Sequence, residues 1–319
     1  MPLPCAGATV IRSVSHAPAR SPLPRKPRLP RRAAEPAQTV RPNAPVSAGR
    51  RANTAGADLA RYYDLDLVED PGDVAMYLAL AAEGRGSILE LCVGSGRIAV
   101  PLAAAGHDVT AVDRDPDMLD RARVLWKRHP ARKSGGGSLS LVENDVTLLD
   151  LPERFDLVIL ALNSLLLLDG RDAQVAALRA MAHHLGPAGR AVIDVWLPSA
   201  ADLDLYDGRL MLDWVRREKE RDEHVAKLTS ARHDPETATA LITTFFDAWQ
   251  DTKRTRRVMR QDTAHLLTAA GVRSLIREAG LTVERSAGDY SLAPFQSGGD
   301  RLVVMCRGGR SYGGRSGRG

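Results

Sequence analysis

The sequence predicts an α/β fold in which a mostly parallel, seven-stranded sheet is covered by helices on both faces and carries an inserted antiparallel β cap. Two observations support this prediction. Between residues 73 and 196, short and almost continuously apolar strand segments alternate with helical segments, which is typical of a parallel sheet buried on both faces. From Leu210 to Arg260 the alternation has period two, which is typical of antiparallel strands.

The first half of the α/β pattern contains three strands and three helices. A glycine turn follows the apolar run SILELC, and the second strand reads DVTAVD. The helix after it has Pro116 near its first turn, where a missing backbone N–H costs nothing. A flexible, glycine-containing segment then precedes the third strand. The predicted ranges are helix 73–82, strand 87–92, helix 97–105, strand 108–113, helix 115–129 and strand 139–143.

The second half contributes four strands and two helices. The runs FDLVILAL and GRAVIDVW predict the fourth and fifth strands, and a helix connects them. Beyond the cap comes a helix that Gly280 ends, since glycine is the commonest residue just after a helix. Two further strands complete the sheet. The predicted ranges are strand 155–162, helix 172–185, strand 189–196, helix 263–279, strand 281–286 and strand 301–306.

Charge is distributed unevenly along the 319 residues. Residues 1–51 hold ten Lys and Arg against one acid, and residues 307–319 hold four Arg and no acid. Because the whole chain carries +5, residues 52–306 carry −8. The basicity therefore belongs to the tails, and it argues against nucleic acid as the partner of the folded body.

Composition also predicts the domain boundaries. Ten of the 19 prolines fall in residues 1–50, which cannot bury enough apolar surface to fold. We expect residues 1–55 to be a disordered basic extension, or the product of translation begun upstream of the true start. Residues 56–306 are expected to form one domain, with the cap at about 200–262. Residues 307–319 are expected to be a disordered Gly/Arg tail.

The cysteines and apolar runs bear on the cellular location. Cys92 and Cys306 both lie in apolar runs, which is typical of buried thiols in a reducing compartment. The longest apolar run, from Leu157 to Leu168, is too short to span a membrane. We therefore expect a cytoplasmic protein without a membrane partner.

The glycine turn predicts a nucleotide-like ligand. Gly94 and Gly96 lie between a strand and a helix, and Asp113 follows at the end of the next strand, where an acid would grip a ribose. This pattern alone does not distinguish NAD from S-adenosylmethionine. Glu90, four residues before Gly94, does so: its carboxylate would repel a pyrophosphate but attract the positive ammonium and sulfonium groups of S-adenosylmethionine.

The segment Glu90-Leu91-Cys92-Val93-Gly94-Ser95-Gly96 resembles the first motif of class I S-adenosylmethionine-dependent methyltransferases, especially those that act on nitrogen or oxygen of small molecules. The resemblance covers about residues 60–306 and implies a Rossmann-like sheet with S-adenosylmethionine as cofactor. It departs from the usual pattern at Cys92-Val93, where Gly-Cys or Ala-Cys is more common. The cofactor-binding residues that it implies are Tyr63, Glu90, Gly94, Gly96, Asp113, Arg114, Met118, Asn144, Asp145, Val146 and Leu162.

Methyl transfer requires alignment and exclusion of water rather than a compulsory catalytic residue, so the catalytic residues stay undetermined. The resemblance suggests Asn163, Trp196 and Tyr290 for the acceptor pocket, with plain packing as the alternative for each. No metal is expected. An RNA- or protein-directed methyltransferase, or a non-catalytic module that binds the cofactor or RNA, stays open as an alternative to a small-molecule methyltransferase.

The cap is predicted to select the acceptor, because it leaves the fifth strand at the edge of the sheet where ligands bind. Its aromatic residues Phe245, Phe246 and Trp249 are the candidates for an apolar wall. The alternative is that they only pack the cap onto the core. The sequence predicts neither the identity of the acceptor nor the oligomeric state.

Overall fold

The computed structural model describes residues 54–66, 68, 70–84, 86–133, 135–250 and 253–309. The predictions for residues 1–53 and 310–319 lie outside this part of the chain. Within the described ranges, every helix lacks either the length or the apolarity that spanning a bilayer requires.

A seven-stranded sheet forms the core, with strand order β10-β11-β5-β4-β1-β2-β3. Strands β1 to β5 are parallel, whereas β11 runs antiparallel to both of its neighbours. This arrangement confirms the predicted fold class. The strands are β1 Ile88–Leu91, β2 Asp108–Asp113, β3 Ser138–Glu143, β4 Phe155–Leu160, β5 Leu185–Trp196, β10 Leu281–Ala287 and β11 Arg301–Gly308.

Helices cover both faces of this sheet. Leu178 of α5 and Leu275 of α7 belong to the apolar layer on one face, and Leu80 of α2, Leu102 of α3 and Leu119 of α4 belong to the layer on the other. The helices are α1 Thr54–Asp66, α2 Asp73–Ala82, α3 Ala99–Ala104, α4 Pro116–Arg128, α5 Gly170–His184, α6 Ala200–Asp204 and α7 Ala269–Glu278.

The cap is a separate four-stranded antiparallel sheet in the order β6-β7-β8-β9. Its strands are β6 Asp207–Glu218, β7 Glu223–Asp234, β8 Thr239–Gln250 and β9 Lys253–His265. The cap thus extends beyond the predicted meander at both ends. The predicted helix start at residue 263 is wrong: β9 continues to His265, and the side chain of Thr268 caps α7 by accepting from the Gly271 amide.

Helix α1 packs on the inner face of the cap. Tyr62 is fully buried and lies in an apolar cluster with Phe246 and Val258. In the charged run Glu218–Glu223, the two end residues Glu218 and Glu223 are buried, whereas the four residues between them are exposed. Both face polar partners that a charge run in the sequence cannot reveal.

Candidate functional site

The glycine turn follows β1, and its two glycines have different tasks. Both have positive φ angles, +57° at Gly94 and +84° at Gly96, a region that other residues rarely adopt. A Cβ on Gly96 would lie 2.9 Å from the Cβ of Ala122 in α4, so this glycine permits close helix packing. A Cβ on Gly94 would meet only the ring of Tyr63, at 3.7 Å. Gly94 therefore faces the site, and Gly96 lies behind it.

Cys92 also has a left-handed backbone, with φ of 56°, which explains why glycine is usual at this position. Burial raises the pKa of its thiol to about 12, and the negative charge of Asp113 adds to the effect. Because the nucleophilic form of cysteine is the thiolate, Cys92 is not a nucleophile at neutral pH.

Glu90 is a buried carboxyl group at the end of β1. It is 2% exposed, and its Oε2 has no hydrogen-bond partner among the described residues. Burial raises its pKa to about 8, partly opposed by the charge of Arg97. Arg97 is itself paired with buried Asp73, with Nη1 2.9 Å from Oδ1. The carboxyl groups of Glu90 and Asp73 share one guanidinium, that of Arg97, so a further positive group from a ligand would be favourable beside Glu90.

Asp113 holds the glycine turn in place from the end of β2. Its Oδ2 accepts a hydrogen bond from the Gly94 amide at 2.8 Å, and its Oδ1 accepts one from the Asp115 amide at 2.9 Å. A carboxylate has about four lone-pair sites, so both oxygens can still accept from ligand hydroxyls.

These groups surround a cavity of roughly 340 Å³ at the carboxyl ends of β1 to β4, a size that is typical of small-molecule sites. Many of its lining residues belong to α1, to α4 or to the segments at the ends of β1, β2 and β3: Leu59, Tyr63, Cys92, Gly94, Asp113, Arg114, Asp115, Met118, Asn144, Asp145 and Val146. The others belong to the segment after β4 and to β9: Leu162, Ser164, Leu167, Leu168, Arg260 and Asp262.

The cavity brings together nine of the eleven residues predicted to bind a cofactor: Tyr63, Gly94, Asp113, Arg114, Met118, Asn144, Asp145, Val146 and Leu162. Glu90 and Gly96 are not among its lining residues. The predicted cofactor-binding set did not include the other lining residues, which are Leu59, Cys92, Asp115, Ser164, Leu167, Leu168, Arg260 and Asp262. The alternating pattern of the cap shows that Asp262 shares a strand face with Arg260, but not that this face meets the cavity.

The three residues predicted for the acceptor pocket lie elsewhere. Asn163 is buried with φ of 66°, and its Oδ1 accepts a hydrogen bond from the Trp196 backbone amide. Trp196 is buried and packs against Tyr206, with ring centroids 6.2 Å apart. The Tyr290 hydroxyl donates to buried Asp194 at 3.1 Å. None of the three lines the cavity described above, and their assignment to the acceptor pocket stays a prediction; Asn163 Nδ2 and Trp196 Nε1 are buried without a hydrogen-bond partner among the described residues.

The cap aromatics also pack away from the cavity lining. Phe246 contacts Tyr62 of α1, with ring centroids 5.5 Å apart. On the opposite face, Trp249 stacks on His224, and Arg257 covers the ring of Phe245 at 5.0 Å. The cap does reach the cavity, but through charged residues of β9 rather than through these rings.

A polar network joins α1 to the cap. The Tyr62 hydroxyl donates to Glu223 Oε1 at 2.8 Å, and Arg256 pairs with both Glu223 and Asp58. These contacts hold α1 against the cap, and Tyr63, the residue after Tyr62 in this helix, lines the cavity.

Comparisons with known protein families, sequences and solved structures agree with this geometry. A methyltransferase domain family matches residues 88–189. The cypemycin N-terminal methyltransferase of a Streptomyces species is 27% identical over 70% of this chain and 83% of its own length. The CcbJ methyltransferase of Streptomyces caelestis is 25% identical with a TM-score of 0.66, covering 80% of this chain and 98% of its own. An S-adenosylmethionine-dependent methyltransferase of Clostridium acetobutylicum shares the fold, with a TM-score of 0.65 and 16% identity over 79% of this chain and 98% of its own.

The chain is a class I S-adenosylmethionine-dependent methyltransferase. Its cofactor is S-adenosylmethionine, as Glu90 and the glycine turn predicted. The cap of this methyltransferase is inserted between β5 and α7, the helix that leads back into the sheet.

Asp150, His183 and His184 form a group in this methyltransferase whose side-chain atoms lie close enough to suggest a metal. The two imidazole rings meet edge to face, with their centroids 5.0 Å apart. Both ring nitrogens of buried His184 are occupied, one by the Leu151 amide at 2.8 Å and the other by the Ala180 carbonyl at 2.7 Å. His184 therefore has no lone pair free to bind an ion.

Proposed function

We propose that this methyltransferase transfers a methyl group from S-adenosylmethionine to a nitrogen or oxygen atom of a small-molecule acceptor, with an amine as the favoured acceptor. Oε2 of Glu90, which is buried without a hydrogen-bond partner among the described residues, carries the cofactor part of the proposal. A buried acid without a cation is unfavourable by itself, and it becomes favourable when a ligand supplies the positive charge.

The described residues fit the cofactor in a simple arrangement. Glu90 would take the ammonium group, and Asp113 would accept hydrogen bonds from the ribose hydroxyls. Asn144, Asp145 and Val146 follow β3, where an acidic side chain and a backbone amide would meet the adenine. Met118 would pack on the adenine ring, and Tyr63 would cover the ligand beside Gly94.

When bound, the cofactor supplies an activated methyl group on a sulfonium. The protein needs to orient the acceptor atom in line with that group and to exclude water. Leu162, Leu167 and Leu168, in the segment after β4, supply an apolar part of the cavity lining. The cypemycin enzyme is named for methylating an N-terminus, and this supports an amine as the acceptor.

Calorimetry tests the cofactor assignment. We expect wild-type protein to bind S-adenosylmethionine and S-adenosylhomocysteine but not NAD. Asp113→Asn should weaken binding of S-adenosylhomocysteine by about 1–3 kcal/mol, because hydrogen bonds to a charged group are lost. Asp108→Asn, at the other end of β2, is the matched control and should bind normally. NAD binding without S-adenosylmethionine binding would overturn the proposal.

A peptide N-terminus is the second candidate acceptor, since that is what the name of the cypemycin enzyme states. Assays with short peptides and with small amines, followed by mass spectrometry, separate the two. Methylation of the peptide α-amine alone would favour this candidate over a free small molecule.

A further inference from the structure

The cap strand β9 contributes an arginine and an aspartate to the cavity. Arg260 and Asp262 lie opposite Thr244 and Ile242 of β8, on the face of the cap that is buried. Both residues line the cavity, and β9 packs against the segment after β4. The side chains of Arg260 and Asp262 are 25% and 13% exposed, so their charges are largely removed from water.

Arg260 binds only one of the two carboxylate oxygens of Asp262. Arg260 Nε and Nη2 both lie 2.8 Å from the same oxygen, Oδ1 of Asp262. Arginine often grips both oxygens of a carboxylate, with two parallel hydrogen bonds. Here Oδ2 is buried and has no hydrogen-bond partner among the described residues. A buried acceptor without a donor is costly, so a donor from a ligand would be favourable.

The surroundings indicate which donor suits this oxygen. Leu162, Leu167 and Leu168, which also line the cavity, are apolar, and the charge of Arg260 already balances that of Asp262. A lone buried carboxylate would hold an amine as its ammonium ion, which has no lone pair to accept a methyl group. The paired carboxylate instead offers a hydrogen-bond acceptor to the N–H of a neutral amine.

We propose that Asp262, positioned by Arg260, is the residue that binds the acceptor amine through Oδ2. This inference rests on the proposed function, because it assigns a residue to the acceptor side of the same cavity. The residues assigned above to the ammonium, ribose and adenine groups belong to α1, to α4 and to the ends of β1 to β3, not to β9. Asp262 would thus determine acceptor specificity and contribute nothing to binding of the cofactor.

The test uses Asp262→Asn with Asp247→Asn as its control. Asp247 pairs with Arg257 at 2.5 Å between the same two strands, but on the opposite face of the cap. Calorimetry first measures the affinity of each variant for S-adenosylhomocysteine, which should stay within about twofold of wild type. Melting temperatures check that both variants fold.

The second measurement is binding of matched compounds with and without an amine to the protein saturated with S-adenosylhomocysteine. The probes are glucosamine with 2-deoxyglucose, and alanylglycine with propionylglycine, because the second member of each pair has no hydrogen-bond donor at the position of the amine. We expect at least one amine to bind about tenfold more tightly than its partner, because Oδ2 loses its donor in the partner. Asp262→Asn should abolish that preference and Asp247→Asn should keep it. Asp262→Glu retains a carboxylate and should keep part of the amine preference. It replaces Asp262→Asn in the test if that variant does not fold.

Three results would overturn the assignment: no amine preference in the wild type, the same loss in both Asn variants, or weakened S-adenosylhomocysteine binding in Asp262→Asn. The last result would place Asp262 at the cofactor. Failure of the wild type to bind S-adenosylhomocysteine contradicts the proposed function itself. Normal binding without an amine preference overturns only the role of Asp262.

Discussion

At the scale of single residues, the site contains two buried carboxyl groups that each keep an oxygen without a partner, Glu90 and Asp262. Arg97, whose charge acts on Glu90, is hydrogen-bonded to Asp73 instead. Asp262 keeps its arginine but engages it through one oxygen. These oxygens are unfavourable in the protein alone, and the ligand groups that we assign to them would remove the penalty.

Glu90 makes the stability of the ligand-free protein depend on pH. Its pKa of about 8 lies above the usual value of 4.5, so the folded state holds the proton more tightly than the unfolded state. The resulting contribution to stability is fully present below pH 4.5 and is lost as the pH rises through 8. Melting temperature should therefore fall between pH 7 and pH 9 in the wild type. Glu90→Gln should reduce this fall, and Glu83→Gln, an exposed control, should not.

The same carboxyl links proton release to ligand binding. An ammonium group placed against Glu90 would favour the ionised form, so binding of S-adenosylhomocysteine at pH 7 should release protons. Calorimetry in two buffers with different ionisation enthalpies measures this number. A release that Glu90→Gln leaves unchanged would remove Glu90 from the ammonium site.

At the scale of elements, α1 joins the cap to the cavity through two adjacent tyrosines. Tyr62 points into the cluster with Phe246 and donates to Glu223, whereas Tyr63 lines the cavity beside Gly94. Lys227 adds a further contact at the end of the helix, 2.8 Å from Asp66. The helix therefore has one face for stability and one for the ligand.

The two tyrosines should separate stability from binding. Tyr62→Phe should lower the free energy of unfolding by about 1–2 kcal/mol, because a buried hydrogen bond to a charged group is lost. Its affinity for S-adenosylhomocysteine should change little. Tyr63→Ala should do the reverse, weakening affinity about tenfold with a smaller effect on unfolding in denaturant. Equal effects of both substitutions on affinity would show that α1 acts as a single unit.

At the scale of the whole molecule, the cavity combines two sheets. The ends of the parallel strands supply much of its lining, and β9 of the antiparallel cap supplies Arg260 and Asp262. Because the cap is inserted between β5 and α7, its sequence can vary while the core sheet keeps its strand order. This arrangement allows a cofactor site that is built on the core sheet to be combined with a cap of variable sequence.

The basic extension is predicted to be dispensable for this arrangement. Deleting residues 1–51 should leave the melting temperature and the affinity for S-adenosylhomocysteine unaltered, because those residues have too little apolar composition to form a core. Differential scanning fluorimetry and calorimetry on the deletion and the full chain measure both quantities. A lower melting temperature in the deletion would show that the extension packs on the body.

The elements of the core were predictable because their signals are local. Strand β2 and helix α2 match the predicted ranges, since an apolar run or a periodic stretch identifies itself within a few residues. The glycine turn, Glu90 and Asp113 were also predictable, because their spacing along one strand–turn–helix unit places them together. The start of α7 was not, because whether β9 continues past residue 263 depends on pairing with β8.

The sequence by itself determined the α/β sheet, the insertion of a β cap and the cofactor, all of which depend on short-range patterns. Only the tertiary structure decided the acceptor side of the cavity. Period-two alternation defines two faces of β9 but not which face is buried, so the sequence does not show whether the face with Asp262 or the face with Arg257 lines the cavity. In the structure, α1 and the segment after β4 pack against the face that carries Asp262. Burial depends on such contacts between distant segments, which a local pattern does not contain.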